Sequence, residues 1–251
     1  MTRPVTFRLT LEYDGTDFAG WQRQPAPARS VQQVIEDALA EMTGVRVILR
    51  GAGRTDAGVH ARAQVASFAT ESAIPLPGIM RGLNAMLPRD VGVIDAVEVT
   101  PELDARRAAR GKHYAYRLWN RPARSPLHAR WSWHILHPLD EAAMAEAAAA
   151  LLGEHDFSTF RAAGCDAKHP VRVLRRAELV REEPHLLAIH LEATAFLRGM
   201  ARIIAGTLVE VGLGRRPAGR VADDLAARDR SRAGRTAPAH GLTLERVIFE
   251  V

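Results

Sequence analysis

Both halves of the chain show the same succession of local sequence patterns. Stretches in which apolar and polar residues alternate are separated by segments in which apolar residues recur at helical spacing. Residues 5–13 place an apolar side chain at every second position, which is the pattern of a half-buried strand. Ser30 and Gln33 form a possible capping box for the segment that follows, where apolar residues recur at helical spacing up to Met42. Several non-consecutive strands of this kind can pair antiparallel, which favours an α+β fold.

The first half continues with further extended stretches and one short helix. A glycine-rich segment at residues 51–61 lies between two of the extended stretches, so it is expected to be a loop between strands. The predicted elements are a strand at residues 45–49, extended structure at 65–68, a helix from Leu76 to Met86 between Pro75 and Pro88, and a strand at residues 91–99.

The second half shows the same kinds of pattern in a different sequence. Its most strongly amphipathic segment runs from Phe196 to Val211, and Gly212 and Gly214 end the helix that this segment predicts. The other predicted elements are a strand at residues 112–119, a helix at 140–152, strands at 171–180 and 186–193 around a turn at 182–185, a helix near 218–227 and a strand at 244–251.

The charge balance indicates a nucleic-acid partner. The 251 residues carry 34 Lys and Arg against 29 Asp and Glu, a formal net charge of +5, and only Lys112 and Lys168 are lysines. Arginine presents a planar fork that binds phosphate at two points and stacks on bases. The alternative is that this Ala- and Arg-rich composition reflects GC-rich codons.

Cysteine, histidine and hydropathy exclude several classes of protein. Cys165 is the only cysteine, which excludes an intramolecular disulfide and a cysteine-based metal cluster and fits a reducing compartment. The ten histidines lack H-E-x-x-H or a comparable spacing, so no metal is expected. No stretch of the sequence approaches a membrane span, and the chain starts in an alternating strand, so we expect a cytoplasmic protein without a membrane partner.

These elements predict two similar α/β lobes, residues 1–105 and 106–251, that share a mostly antiparallel sheet with helices packed on it. A basic cleft between the lobes is the expected binding site. Residues 120–130 contain two prolines and three arginines, and this connection is expected to be flexible or to face RNA.

The glycine-rich loop holds a candidate nucleophile, Asp56, two residues after Arg54. A carboxylate near a guanidinium stays ionised at neutral pH, which is the state that a nucleophile requires. Glycines 51, 53 and 58 allow positive φ angles or close approach of another backbone or ligand. The alternative is a structural turn, in which Thr55 and Asp56 bond their own backbone and Arg54 is solvated.

Tyr114 and Tyr116 lie two apart on a predicted strand, so both rings point to one face. Aromatic rings interleaved with positive charge are typical of surfaces that bind unpaired bases. The alternative is a pair of core tyrosines with a solvated basic edge. The flanking basic residues are Arg106, Arg107, Arg110, Lys112 and Arg117.

Arg198 and Arg202 lie four apart on the predicted helix that follows Phe196, one turn above each other and opposite its apolar stripe. They could face the cleft, where one would hold a carboxylate or a phosphate. A solvated helix face is the alternative. His60 is interpreted as a packing or hydrogen-bonding residue of the glycine-rich loop rather than as a metal ligand.

Arg54-Thr55-Asp56 and the residues up to His60 resemble the signature of the tRNA pseudouridine synthase A family. The resemblance continues in order through most of the chain, which makes it far more specific than one motif. The other matching segments are residues 12–15, 20–24, 83–88, 112–116, 156–160 and 237–242. One departure is Met200-Ala201-Arg202-Ile203, where the family usually has Met-Val-Arg-Asn, and this puts the packing of the helix in doubt.

The resemblance implies a pseudouridine synthase fold and isomerisation of uridine to pseudouridine at nucleotides 38, 39 and 40 of the tRNA anticodon stem-loop, without a cofactor or metal. It implies that Asp56 is the nucleophile, that Tyr114 stacks on the target base and that Arg202 pairs with Asp56. Arg54 would contact the RNA or help to extrude the nucleotide. A homodimer that holds tRNA is also implied.

Two alternatives to this function stay open. A non-catalytic RNA-binding protein could have the same basic cleft. A hydrolase could use Asp56, although the sequence lacks a metal set or a second carboxylate paired with it by spacing. The sequence also leaves open whether Asp56 attacks C6 of the base or C1′ of the sugar.

Overall fold

The computed structural model describes residues 4–72 and 74–249, and the chain divides into two compact units. One unit comprises the chain up to Arg110 together with the residues from Leu244 onward, and the other comprises Gly111–Thr243. Both contain helices and mostly antiparallel strands. The predicted α+β class, with a large and mostly antiparallel sheet accompanied by helices, is confirmed.

The elements up to Arg110 follow the predicted order closely. The predicted helix between two prolines has the predicted bounds. The elements are β1 (Val5–Tyr13), α1 (Val31–Thr43), β2 (Arg50–Gly51), β3 (His60–Thr70), α2 (Leu76–Met86), β4 (Val91–Val99) and the short α3 (Ala105–Ala108).

The elements after Arg110 include every helix and strand predicted there, with small shifts at their ends. Three short 3-10 turns connect them within the described residues. The elements are β5 (Gly111–Asn120), β6 (Trp133–Ile135), α4 (Glu141–Ala149), β7 (Gly153–Asp156), β8 (Val171–Glu183), β9 (Leu186–Ala193), α5 (Met200–Gly212), α6 (Arg220–Ala226) and β10 (Leu242–Ile248). The last two positions of the predicted strand 244–251 lie outside the described residues.

β1 is an interior strand of the first unit, and it pairs antiparallel with both β3 and β4. Its alternate residues are buried because the period-two pattern turns one side chain in two toward the core. Phe7 lies opposite Phe68 of β3, with ring centroids 5.6 Å apart. Helix α2 packs against β4 and α1, so both helices cover apolar residues of this unit.

The second unit is organised around β5, β9 and β8, which pair antiparallel in that order, with β7 beyond β8. The short β6 instead runs parallel to β5. Helix α5 is buried on nearly all sides and packs against α4 and β5. Ala201 and Ile203 are only 4% and 0% exposed, so the positions that differ from the family pattern fit within this core.

The predicted strand at residues 45–49 and the predicted capping box are both wrong. Only Arg50–Gly51 pairs as a strand, because α1 takes the backbone groups of Leu49: its N–H donates to Glu36 Oε1 at 3.1 Å, and its carbonyl accepts from Gln32 Nε2 at 3.0 Å. Ser30 occupies the N-cap of α1, but its hydroxyl makes no capping bond.

Residues 120–130 are held in place by contacts with the rest of the second unit. Trp119 donates from Nε1 to the Ala123 carbonyl at 3.1 Å and stacks on His128 with ring centroids 4.3 Å apart. Leu127, by contrast, is 86% exposed. A role of this segment in RNA contact stays a prediction.

Within the described part of the chain, no helix combines the length and the apolar content that crossing a membrane requires.

Candidate active site

Asp56 lies on the predicted loop, between β2 and β3 of the first unit. Its side chain is half-buried, Arg54 is exposed, and Thr55 between them is buried. The Val59 N–H donates to the Asp56 carbonyl at 3.2 Å, which closes a turn directly after the carboxylate. Gly58 sits in this turn with φ +78°, the left-handed conformation that favours glycine.

Residues 14–21, the segment after β1, are bonded to this loop through the backbone. Trp21 donates its N–H to the Thr55 carbonyl at 3.0 Å, and the Gly58 N–H donates to the Phe18 carbonyl at 3.3 Å. The Trp21 ring also covers Gly51, where an added Cβ would lie 2.5 Å from Cε2 of the indole. The backbone before and after Asp56 is therefore fixed by a second segment of the same unit.

Thr55 is bonded to β1 rather than to its own backbone, so the structural-turn interpretation is wrong for this residue. Its Oγ1 lies 2.8 Å from the hydroxyl of Tyr13, and both side chains are buried. Burial raises the pKa of Tyr13 to about 12, against the opposing effect of its hydrogen bonds to Thr55 and Gln64. Gln64 also donates from Nε2 to the Gly53 carbonyl at 3.0 Å.

His60 is a hydrogen-bonding residue of this loop, as predicted. It is 1% exposed, and its Nδ1 accepts the Gly15 N–H at 3.1 Å and lies 3.2 Å from Asp14 Oδ1. The ring thus fixes the start of the segment that carries Trp21. Across the residues that the structure describes, no three His, Cys, Asp or Glu side chains are grouped as metal ligands.

The two tyrosines of β5 differ in their surroundings. Tyr114 is 6% exposed, and its ring meets Phe196 edge-on with centroids 5.0 Å apart. Tyr116 is fully buried, donates its hydroxyl to the Pro238 carbonyl at 2.8 Å and packs edge-on against Trp133. Both rings are buried, as the core interpretation predicts, and the base-stacking role of Tyr114 stays a prediction.

The prediction that Arg117 is one of the cations flanking this strand on a base-binding surface is wrong. It is only 7% exposed and forms two bonds with the Glu182 carboxylate, from Nε at 2.8 Å and from Nη2 at 3.0 Å. Since the fork is committed to a carboxylate, Arg117 is a structural residue of the second unit. The side chains of Arg106, Arg107 and Arg110 are exposed on the first unit.

Arg202 is held in the first turns of α5. Its Nε donates to the Ala237 carbonyl at 2.9 Å, and the Ala237 N–H donates to the Arg202 carbonyl at 3.1 Å. The charge of Arg202 acts on two neighbours: it opposes the large rise that burial causes in the pKa of Tyr116, and it adds to the lowering that burial causes in the pKa of His240.

The predicted stacking of Arg198 on Arg202 is wrong. Helix α5 begins only at Met200, because Gly199 before it has φ +72°, so Arg198 precedes the helix. Its N–H instead donates to Cys165 Sγ at 3.4 Å, and its Nη1 donates to the Gly164 carbonyl at 3.2 Å.

The close contact of α5 with residues 235–237 can be tested by Gly206→Ala. An added Cβ at Gly206 would lie 1.9 Å from the Arg235 carbonyl oxygen, so the backbone that accepts from Arg202 has to move. We expect a loss of about 1–3 kcal/mol in the free energy of unfolding, measured by urea denaturation.

Gly219→Ala is the matched control, since its Cβ would meet nothing within 4 Å and Gly219 has helical φ and ψ. That variant should be neutral or slightly more stable than the wild type. Equal stabilities of the two variants would contradict the close packing at Gly206.

The candidate residues thus fall into two groups. Arg54 and Asp56 share one loop of the first unit, whereas Tyr114 and Arg202 belong to β5 and α5 of the second. The pairing of Asp56 with Arg202 stays a prediction. Sequence reasoning missed the support from Tyr13, although its place on the buried side of β1 required a partner for its hydroxyl.

Comparison with known proteins gives closely related sequences over almost the whole chain. The model of a family described as tRNA pseudouridine synthase matches residues 10–106 and 147–250. tRNA pseudouridine synthase A of Myxococcus xanthus is 52% identical over 242 residues, which cover 96% of this chain and 91% of that protein. The protein of the same name from Pelobacter propionicus is 48% identical, with coverage of 97% and 99%.

Among solved structures, the chain resembles one described as a Cbf5-Nop10-Gar1 complex, with a TM-score of 0.36, 10% identity, and coverage of 81% of this chain and 54% of that one. This likeness is too weak to support an argument. The sequence matches are strong enough to do so, because a family model covers most of the chain and relatives near 50% identity span nearly all of it. By these matches the chain belongs to the tRNA pseudouridine synthase family.

Proposed function

We propose that the protein isomerises uridine to pseudouridine at nucleotides 38, 39 and 40 of the tRNA anticodon stem-loop, with Asp56 as the nucleophile and without a cofactor. The observation that carries the proposal is the Asp56 loop: a half-buried carboxylate on a turn whose backbone is bonded from both sides, in a chain of this family. A fixed nucleophile loses little entropy when the target base arrives.

The reaction is an exchange of bonds within one nucleotide. The C1′–N1 glycosidic bond breaks, C1′ bonds to C5 of the same uracil, and the proton on C5 is released to solvent while N1 gains one. Atoms and charges balance, and no oxidant or energy source is needed. A carboxylate can trap either the sugar or the base while the ring turns over.

The target uridine has to leave its stack before Asp56 can reach it, at a cost of a few kcal/mol. In this proposal Tyr114 stacks on the extruded base, and Arg202 pairs with Asp56. Arg54, which is exposed beside Asp56, contacts the RNA backbone or holds the nucleotide out. The exposed Arg106, Arg107 and Arg110 of the same unit suit phosphate binding.

Release of tritium tests the reaction. Unmodified tRNA labelled with tritium at uridine C5 should lose label on incubation with the wild-type protein, and mapping should place pseudouridine at nucleotides 38 to 40. Salt-dependent binding of tRNA without release would instead identify a non-catalytic RNA-binding protein. Pseudouridine at other positions would overturn the site assignment alone.

Arg54→Ala tests the proposed RNA contact of this loop. Loss of one phosphate contact should weaken tRNA binding uniformly across tRNA sequences and lower the slope of log Kd against log salt by about 1. Fluorescence titration of labelled tRNA at several salt concentrations measures both quantities. Arg175→Ala, which removes an exposed arginine from β8, is the matched control, and an equal effect of both variants would count against a specific contact.

The proposal includes a homodimer in the cytoplasm. Both rest on the family resemblance, and the cytoplasmic location also fits the single cysteine and the tRNA substrate. Sedimentation of the purified protein with and without tRNA tests the dimer, and a monomer in both samples would contradict it.

A further inference from the structure

We infer that Tyr13 is a positioning residue for Asp56, which acts through its buried hydrogen bond to the Thr55 hydroxyl. The inference rests on the proposed function, because it assigns Tyr13 a part in the reaction of Asp56. Tyr13 is the last residue of β1 and is 3% exposed. Thr55 is 6% exposed and directly precedes Asp56, so its orientation sets the direction of the chain at the carboxylate.

A second strand holds the same loop at another point. Gln64 of β3 is fully buried; its Nε2 donates to the Gly53 carbonyl at 3.0 Å and lies 3.5 Å from the Tyr13 hydroxyl. Side chains from β1 and β3 therefore hold residues 53 and 55 from inside the unit. The backbone bonds from Trp21 and Phe18 hold residues 55 and 58 from the segment after β1.

The hydroxyl of Tyr13, rather than its ring, provides this contact with the loop. The ring packs on Trp21 with centroids 6.2 Å apart, a contact that phenylalanine would keep. The raised pKa of about 12 keeps the hydroxyl neutral through the physiological range, so Tyr13 orients the loop without changing charge. Its loss should therefore lower the rate without changing the shape of the pH profile.

The expected effect is a loss of rate with retained binding. A nucleophile displaced by a fraction of an ångström to 1 Å costs about 10- to 100-fold in rate. The phosphate contacts that govern tRNA affinity are separate from the interior of the loop. Tyr13→Phe should thus lower kcat by about 10- to 100-fold and leave KM for tRNA within about 2-fold.

Variants of Thr55 test whether its hydrogen bond to the Tyr13 hydroxyl is needed for the rate. Thr55→Val keeps the shape of the side chain and removes its hydroxyl, so it should also lower kcat, by no more than Tyr13→Phe does, because Tyr13→Phe additionally removes the contact with Gln64. Thr55→Ser restores a hydroxyl and should recover most of kcat. The double variant Tyr13→Phe/Thr55→Val should be no slower than Tyr13→Phe, because Tyr13→Phe already removes the bond to Thr55.

Thr159→Val is the matched control in the second unit. Its buried hydroxyl donates to the Asp224 carbonyl at 2.7 Å, so the variant also loses one buried hydrogen bond. Thermal unfolding of all variants shows whether they are folded and by how much their midpoints fall. Thr159→Val should lower the midpoint by a similar amount and keep kcat.

Initial rates of tritium release over a range of tRNA concentrations measure kcat and KM. No release by the folded wild type would overturn the proposed function itself. With an active wild type, full kcat in Tyr13→Phe, additive losses in the double variant, or an equal loss of kcat in Thr159→Val would overturn the positioning role. Should Tyr13→Phe not fold, the comparison of Thr55→Val with Thr55→Ser decides, and equal rates for these two would overturn it.

Discussion

Asp56→Asn should lower tritium release from labelled tRNA by at least about 10⁴-fold, because an amide cannot replace a carboxylate nucleophile. The two side chains have nearly the same size and shape. The bonds from the Trp21 N–H to the Thr55 carbonyl and from the Gly58 N–H to the Phe18 carbonyl use main-chain atoms that the variant keeps. The loop should therefore stay folded while its chemistry is lost.

Binding separates this result from a general loss of the site. Most affinity for tRNA comes from phosphate contacts, which a change of one carboxylate leaves in place, so Kd should stay within about 3-fold of the wild type. Filter binding and single-turnover release on the same preparations measure the two quantities. Asp95→Asn is the matched control, since it makes the same change at an exposed position on β4 and should keep full activity.

Measurable release by Asp56→Asn, at a tenth of the wild-type rate or more, would exclude Asp56 as the nucleophile. Retained release with weakened tRNA binding would instead make it a binding residue. Either result leaves the family membership of the chain unaffected, because that rests on the match of most of its length.

Elements whose bounds depend on local signals could be predicted from the sequence. β1 follows from strict alternation, and α2 follows from apolar spacing between two prolines. The loop that carries Asp56 follows from its three glycines ahead of the extended stretch that forms β3. In each case the residue types of the segment and their spacing are enough to predict the element.

Features that depend on a distant partner could not be predicted in this way. The alternation at residues 45–49 reflects burial of Val47 and Leu49, but Gln32 and Glu36 bond the backbone of Leu49 where a strand would. Arg117 lies in a segment whose alternation predicts a strand, but that pattern does not show that the fold places Glu182 beside its guanidinium. Neither partner is adjacent in sequence, so no local pattern reports it.

The same distinction applies to the candidate site. Motif order predicts Asp56, Tyr114 and Arg202 as site residues. The contacts that hold each of them come from distant parts of the sequence: the Tyr13 hydroxyl for the Asp56 loop, the Phe196 ring for Tyr114 and the Ala237 carbonyl for Arg202. The wrong prediction that Arg198 lies one helical turn from Arg202 assumes a helix that runs through Gly199. The helix instead begins after Gly199, whose φ is positive, although the apolar spacing extends to residues before it.

Arg202→Lys should lower kcat by about 10²- to 10³-fold, even though it conserves the charge. The Nε of Arg202 donates to the Ala237 carbonyl, which orients the planar guanidinium. In the proposal the same guanidinium also pairs with the Asp56 carboxylate. Lysine has a single ammonium group and cannot bond the carbonyl and grip a carboxylate at two points in this planar geometry. Initial rates of tritium release at saturating tRNA measure the loss.

The tRNA affinity of Arg202 variants shows whether the Arg202 guanidinium binds the Asp56 carboxylate or a phosphate. If Arg202 orients the Asp56 carboxylate, Arg202→Lys and Arg202→Met should both keep Kd within about 5-fold, because no phosphate contact is removed. If Arg202 holds a phosphate instead, Arg202→Met should weaken binding and lower the salt slope by about 1. Arg198→Lys is the matched control: this exposed arginine bonds the Gly164 carbonyl before the helix begins, so its replacement should leave both kcat and Kd unchanged. Full kcat in Arg202→Met would exclude any part of Arg202 in the chemistry and would leave Asp56 to depend on the groups of its own loop.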